Sequence, residues 1–119
     1  MDFRIVGILV GSLALSACER DIEVEVQQRN GVVIFAASRS GKPPCIDEVS
    51  VYKAGDLLNP VWKIGAPNGA SCLSTFVYGG TVSGFLTDGD PPPLAPGESY
   101  SVSMRGPGLV GSEDFVKAR

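Results

Sequence analysis

The chain has 119 residues, enough for one domain, and its 10 Lys and Arg against 13 Asp and Glu give a formal charge of −3. This balance excludes the basic surface typical of nucleic-acid-binding proteins, so we expect no nucleic-acid partner. Histidine is absent, which excludes Ser-His-Asp triads, histidine acid–base catalysis and the commonest metal ligand.

Apolar residues are concentrated at the N-terminus, where they make up 11 of the first 17 residues. Arg4 precedes an apolar run at 5–15, and small residues follow it. Because a helix needs roughly 20 apolar residues to span a bilayer, this run is too short for one and is typical of a secretory signal peptide. A buried N-terminal helix is the alternative, but Gly7 and Gly11 favour export.

A leucine, two small residues and a cysteine close this segment, namely Leu15, Ser16, Ala17 and Cys18. They resemble the lipobox of bacterial lipoproteins, which are cleaved before the cysteine and acylated on its thiol and amine by chains such as palmitate. The resemblance implies a signal peptide at 1–17, a membrane anchor at Cys18 and a short tether at 18–21. Glu19 at the next position implies sorting to the periplasmic face of the outer membrane. Two or three acyl chains bury on the order of 30–40 methylenes at ~0.8 kcal/mol each, so anchoring would be permanent.

Cys45 and Cys72 remain as a pair in an exported protein. The chain has no Cys-x-x-Cys motif, and two thiols without histidine make a poor zinc site. Two free buried thiols and a redox pair are alternatives, but an oxidising compartment favours a structural disulfide. The chain-entropy model gives such a bridge roughly 3–4 kcal/mol of stabilisation.

Residues 22–119 predict an all-β domain, because short β-branched and aromatic runs alternate with Gly and Pro turn signals. We expect a small antiparallel β-sandwich of seven or eight strands. The predicted strands lie at 22–26, 31–38, 46–53, 60–64, 72–78, 81–87, 99–105 and 113–118. The nearly continuous apolar run at 31–38 predicts a central strand buried on both faces. Alternation at 99–105 predicts that Tyr100, Val102 and Met104 face the core.

One stretch of this domain matches a known structural motif, and its key positions are Leu94, Pro96, Gly97, Tyr100 and Val102. They resemble the Leu-x-Pro-Gly-x-x-Tyr-x-Val run of fibronectin type III and related immunoglobulin-like domains. In those domains the leucine enters the core and Pro-Gly makes a turn. The tyrosine hydroxyl bonds to upstream backbone, forming a tyrosine corner. The resemblance implies an immunoglobulin-like sandwich and gives Leu94, Pro96, Gly97 and Tyr100 structural roles.

Residues 97–100 are also similar to the Ser-Gly-x-x-Tyr loop of membrane-bound lysozyme inhibitors, although Pro96 replaces the serine. Asp88 and Asp90 flank a glycine as in a calcium-binding turn. However, Ser99 stands where an EF-hand places its glutamate, so we expect a solvated turn and no metal site. No phosphate-binding, dinucleotide-binding or nucleophile motif is present, and we expect no enzyme activity, catalytic residue or cofactor.

These observations predict a lipid-anchored, non-catalytic binding or assembly module of the cell envelope. Its partners would be the membrane, through Cys18, and another envelope protein. We expect the contact loops to lie at 39–44, where Arg39 and Lys42 form a solvated basic loop, and at 88–97, which contains a stiff Pro91-Pro-Pro93 run. The alternative is a periplasmic ligand-binding or lysozyme-inhibitor-like module that uses the same loops.

Overall fold

The structure is a computed structural model that describes residues 20–67, 72–87 and 89–119. The predicted signal peptide and Cys18 lie outside these residues. The described strands, in chain order, are β1 (Arg20–Asp21), β2 (Glu23–Arg29), β3 (Val32–Ser38), β4 (Glu48–Lys53), β5 (Trp62–Gly65), β6 (Thr75–Val77), β7 (Leu86–Thr87), β8 (Ser99–Gly106) and β9 (Leu109–Val116).

The strands form two sheets, which confirms the predicted all-β sandwich. One sheet has the order β2-β3-β6 and the other the order β1-β9-β8-β4-β5-β7. All pairs are antiparallel except β1 with β9, which is parallel. In the larger sheet β9, β8 and β4 are adjacent, and the smaller sheet consists of β2, β3 and β6.

The core lies between the two sheets and is built by side-chain alternation. On β8, Tyr100, Val102 and Met104 are buried as predicted, while the intervening serines face outward. On β4, Val49 and Val51 pair with Met104 and Val102 and are fully buried. Phe35 of the opposite sheet is also fully buried, and its ring lies 6.4 Å from that of Trp62. Burial of these side chains supplies the main favourable free energy of folding.

Several predicted boundaries are wrong. The last strand begins at Leu109 rather than at 113, because its first half is paired with β8 although Gly111 interrupts its hydrophobic pattern. Of the predicted strand at 81–87, only Leu86 and Thr87 pair. Residues 20 and 21, predicted as tether, form β1.

The prediction for β3 is correct for its position and wrong for its burial. β3 lies between β2 and β6 as a central strand. Its inward side chains, Val33, Phe35 and Ala37, are buried, but Val32 on the outer face is 44% exposed and Ile34 is half-buried. The apolar run therefore reflects a central strand with one covered face.

Candidate functional site

The chain enters the sandwich at one end, which the parallel pairing of β1 defines. Arg20 pairs with Leu109 and Asp21 with Val110, and the Ile22 N–H donates to the Val110 carbonyl at 3.0 Å. Because the strands are parallel, Arg20, where the described part of the chain begins, lies beside the turn that joins β8 to β9. We call this end of the sandwich, with the β8–β9 turn at 107–108, the entry end.

The basic loop predicted at 39–44 also lies at the entry end. Arg39 and Lys42 exchange backbone hydrogen bonds of 2.8 and 3.0 Å across Ser40 and Gly41. Both middle residues have positive φ, 52° and 76°, as a two-residue type I′ hairpin turn requires. We call residues 39–42 the basic turn. Together with two prolines it borders a shallow depression of about 330 Å³ that Leu109 also lines.

The predicted disulfide is confirmed and lies at the same end. Cys45 and Cys72 are bonded, with a sequence separation of 27. Each cysteine precedes a strand of a different sheet, and the neighbouring Ile46 and Leu73 form a backbone bridge of 2.9 Å. The bridge therefore joins the two sheets beside the point where the chain enters.

The opposite end carries an open groove of about 700 Å³, which we call the distal groove. Its floor comes from the ends of β8 and β9 and its rim from the loop after β4. The lining residues are Ala54, Gly55, Leu57, Ser99, Tyr100, Ser101, Asp114, Phe115 and Val116. Leu57 is 65% exposed, Val116 56% and the adjoining Leu58 90%. Exposed aliphatic side chains gathered around a concavity are typical of a protein-binding surface.

A side-chain amide holds the end of β9 beside this groove. The Gln28 Nε2 donates to the Val116 carbonyl at 2.9 Å, and its Oε1 accepts from the Ala118 N–H at 2.7 Å. Gln28 belongs to β2 of the other sheet, so its amide takes the place of a neighbouring strand at this position. The position of Val116 in the distal groove is thereby fixed by both sheets.

The tyrosine-corner residues shape the loop that leads into β8. The Ala95 N–H donates to the Tyr100 hydroxyl at 2.9 Å, which is the hydrogen bond expected of a tyrosine corner. Residues 95–98 close a turn with a Glu98 N–H to Ala95 carbonyl bond of 3.1 Å. Pro96 and Gly97, whose φ is 81°, occupy the central positions of a type II turn. Leu94 is buried.

The same geometry bears on the resemblance to lysozyme inhibitors. Tyr100 is 6% exposed and its ring stacks 5.7 Å from that of Phe115. Its hydroxyl is engaged by backbone. The side chain therefore lies in the sandwich rather than projecting from a loop.

A second tyrosine holds the proline run. The Tyr78 hydroxyl donates to the Pro92 carbonyl at 2.7 Å, and its ring lies 5.1 Å from that of Trp62. Burial, with a smaller contribution from nearby Tyr100, raises the pKa of Tyr78 to about 12. The proline run is thus attached to the sandwich through its backbone, while Pro92 and Pro93 remain exposed.

The structure places the two predicted contact loops at opposite ends. The basic turn lies at the entry end, whereas the loop that precedes β8 lies at the end of the distal groove, where the Gly97 N–H bonds to the Lys117 carbonyl. Of the predicted calcium-turn residues, Asp90 is exposed and Asp88 lies outside the described residues.

Within residues 20–67, 72–87 and 89–119, no three His, Cys, Asp or Glu side chains converge as a metal site would require. No helix in this described part of the chain is long and apolar enough to cross a membrane.

Sequence reasoning missed Leu57, Leu58 and Val116 as surface residues. Two adjacent leucines within a run of turn-forming residues, between Asp56 and Asn59, are the sequence signal that could have indicated them. Comparison with protein-family models and with curated proteins gives no match to this chain.

Proposed function

We propose that the protein is a lipid-anchored, non-catalytic binding module of the cell envelope, attached through Cys18 and contacting another envelope protein with its distal groove. One observation carries the proposal: β1 begins at Arg20, two residues after Cys18, at the end of the sandwich opposite the groove. Anchoring at Cys18 would therefore leave the groove facing away from the membrane.

The length of the sandwich gives the groove its distance from the anchor. β9 has eight residues and runs from the entry end to the groove. At about 3.3 Å per residue it spans roughly 25 Å. The two Cα–Cα steps from Cys18 through Glu19 to Arg20 add at most about 7 Å. The groove would thus reach partners that stand within a few nanometres of the membrane surface.

The character of the groove supports a protein partner. Its exposed large aliphatic side chains are Leu57 and Val116, with Leu58 adjoining, and Ser99, Ser101 and Asp114 supply polar groups. A small apolar centre with polar groups at its edge is the usual composition of a protein interface. Because Leu57 and Leu58 are largely exposed, removing them costs the fold about 0.5 kcal/mol or less.

Anchoring is tested by intact-mass measurement of the protein extracted from its native membrane. We expect a chain that begins at Cys18 and carries acyl chains, and a Cys18→Ser variant that is neither cleaved nor acylated. A native chain that still begins with Met1 and partitions into water would refute the anchoring.

The groove is tested by cross-linking in intact envelopes. We expect wild-type protein to give a reproducible cross-linked partner, and Leu57→Ser/Leu58→Ser to lose it with unchanged thermal stability. Leu86→Ser is the matched control, because Leu86 is 69% exposed on the edge strand β7, away from the groove. Equal capture by wild type and the double variant would exclude the groove as the contact surface.

A further inference from the structure

We propose that the basic turn contacts the anionic phosphate headgroups of the membrane in which the chain is anchored. The inference rests on the proposed anchoring at Cys18 and adds the surface and the lipid chemistry of the contact. It gives the basic turn a role, whereas sequence reasoning predicted a solvated loop.

The position of the turn follows from strand pairing. Arg20 pairs with Leu109, and Leu109 borders the same depression as Arg39 and Lys42. Only Glu19 separates Cys18 from Arg20, so their Cα atoms lie at most about 7 Å apart when the chain is extended. An acylated Cys18 would therefore bring the headgroup layer to the end of the sandwich that carries the basic turn.

The turn presents two cationic side chains, Arg39 and Lys42, on its surface. Lys42 is exposed and Arg39 half-buried, and among the described residues neither side chain has an ion pair or hydrogen bond. An anionic surface attracts cationic side chains that come within the Debye length, which is about 8 Å at physiological salt.

The described carboxylates at this end belong to strands or to the residue before β4, namely Asp21, Glu23, Asp47 and Glu48. Glu23 pairs with Ser38, the residue before Arg39. Asp21 pairs with Val110, one residue further from the entry end than Leu109. The turn therefore extends beyond Asp21 and Glu23 toward the membrane, although the chain as a whole is negatively charged.

The test uses the acylated protein reconstituted in lipid nanodiscs that contain a gadolinium-chelating headgroup. One set of discs is phosphatidylcholine alone, and the other contains 30% phosphatidylglycerol. Paramagnetic relaxation enhancement is measured at each backbone amide by NMR. We expect the amides of residues 40–42 to be strongly enhanced and those of residues 55–58, at the distal groove, to be nearly unaffected.

The role of charge is tested with Arg39→Gln/Lys42→Gln. In phosphatidylglycerol discs, each cationic side chain should favour the turn-contacting orientation over tilted ones about fivefold. Removing both should therefore lower the ratio of these two populations roughly 25-fold. Arg29→Gln/Lys63→Gln is the matched control, because it removes the same charge from the opposite end of β2 and from β5. The control should behave as wild type.

Each outcome decides a separate point. An acylated protein whose residues 40–42 show no enhancement overturns the orientation but leaves anchoring intact. Equal enhancement in both lipids, or an unchanged Arg39→Gln/Lys42→Gln variant, overturns the headgroup contact by charge. Intact mass without acyl chains overturns the anchoring and this inference with it.

Discussion

Removing the hydroxyl of Tyr100 tests how much one hydrogen bond, in the loop before β8, contributes to the stability of the fold. In Tyr100→Phe the ring remains in the core beside Phe115, but the Ala95 N–H loses its acceptor at 2.9 Å. This hydrogen bond is partly buried. Losing this bond costs about 1 kcal/mol, the usual net contribution of a hydrogen bond, because Ala95 is exposed and its N–H can bond to water instead.

The expected loss is large on the scale of a small domain. For a domain of 60–100 residues, each kcal/mol corresponds to about 4–8 °C in melting temperature. We therefore expect Tyr100→Phe to melt at least about 4 °C below wild type. Urea denaturation should show a lower midpoint at an unchanged m-value, since the folded surface does not change.

Tyr52→Phe is the matched control for the same chemical change. Tyr52 is half-buried on β4, and its hydroxyl has no hydrogen-bond partner among the residues described. Its loss should change stability by no more than about 0.5 kcal/mol. If Tyr100→Phe and Tyr52→Phe destabilise equally, the hydrogen bond to Ala95 does not hold the loop and the reasoning fails.

Three further predictions concern other contacts of the sandwich. Replacing Cys45 and Cys72 with serine should lower the unfolding free energy by roughly 3–4 kcal/mol, measured by urea denaturation, and an unchanged midpoint would contradict the entropic account. Since burial raises the pKa of Tyr78 to about 12, the unfolded state loses its proton near pH 10 while the folded state keeps it. Stability should accordingly fall between pH 10 and 12, and absorbance at 295 nm should show a titration near pH 12 that disappears in Tyr78→Phe. A Cβ at Gly111 would lie 2.5 Å from a backbone carbonyl at the β1–β2 junction, whereas at Gly65 it would meet an ordinary contact of 3.7 Å. Gly111→Ala should therefore cost about 1–3 kcal/mol and speed amide exchange in β1, unlike Gly65→Ala.

Features set by neighbouring residues were predictable from the sequence. The turn at Pro96 and Gly97 needs only a fixed φ followed by a positive one, which these two residues supply locally. The alternation of β8 likewise identifies which side chains face the core. The disulfide followed from the compartment that the N-terminus implies, since only two cysteines remain after Cys18.

Features set by tertiary packing were not predictable. The first half of β9 has no hydrophobic alternation, and Gly111 is required there because the chain at the β1–β2 junction passes too close for a Cβ. The exposure of Leu57 and Leu58 depends on how the loop after β4 lies against β8 and β9. A single sequence does not contain that placement, so the distal groove emerged only from the structure.

The direction of β1 determines which end of the sandwich is free in the proposed anchored state. Its pairing rests on Arg20 with Leu109, Asp21 with Val110 and the Ile22 hydrogen bond to Val110. If β1 paired antiparallel to β9, the residues before it would run toward the distal groove, and acylation would place Leu57 in the headgroups. In the proposed anchored state, parallel pairing instead directs the basic turn toward the membrane and leaves the groove free for a partner. Both proposals therefore depend on the same short parallel pairing, and evidence that β1 detaches from β9 in the anchored protein would weaken both at once.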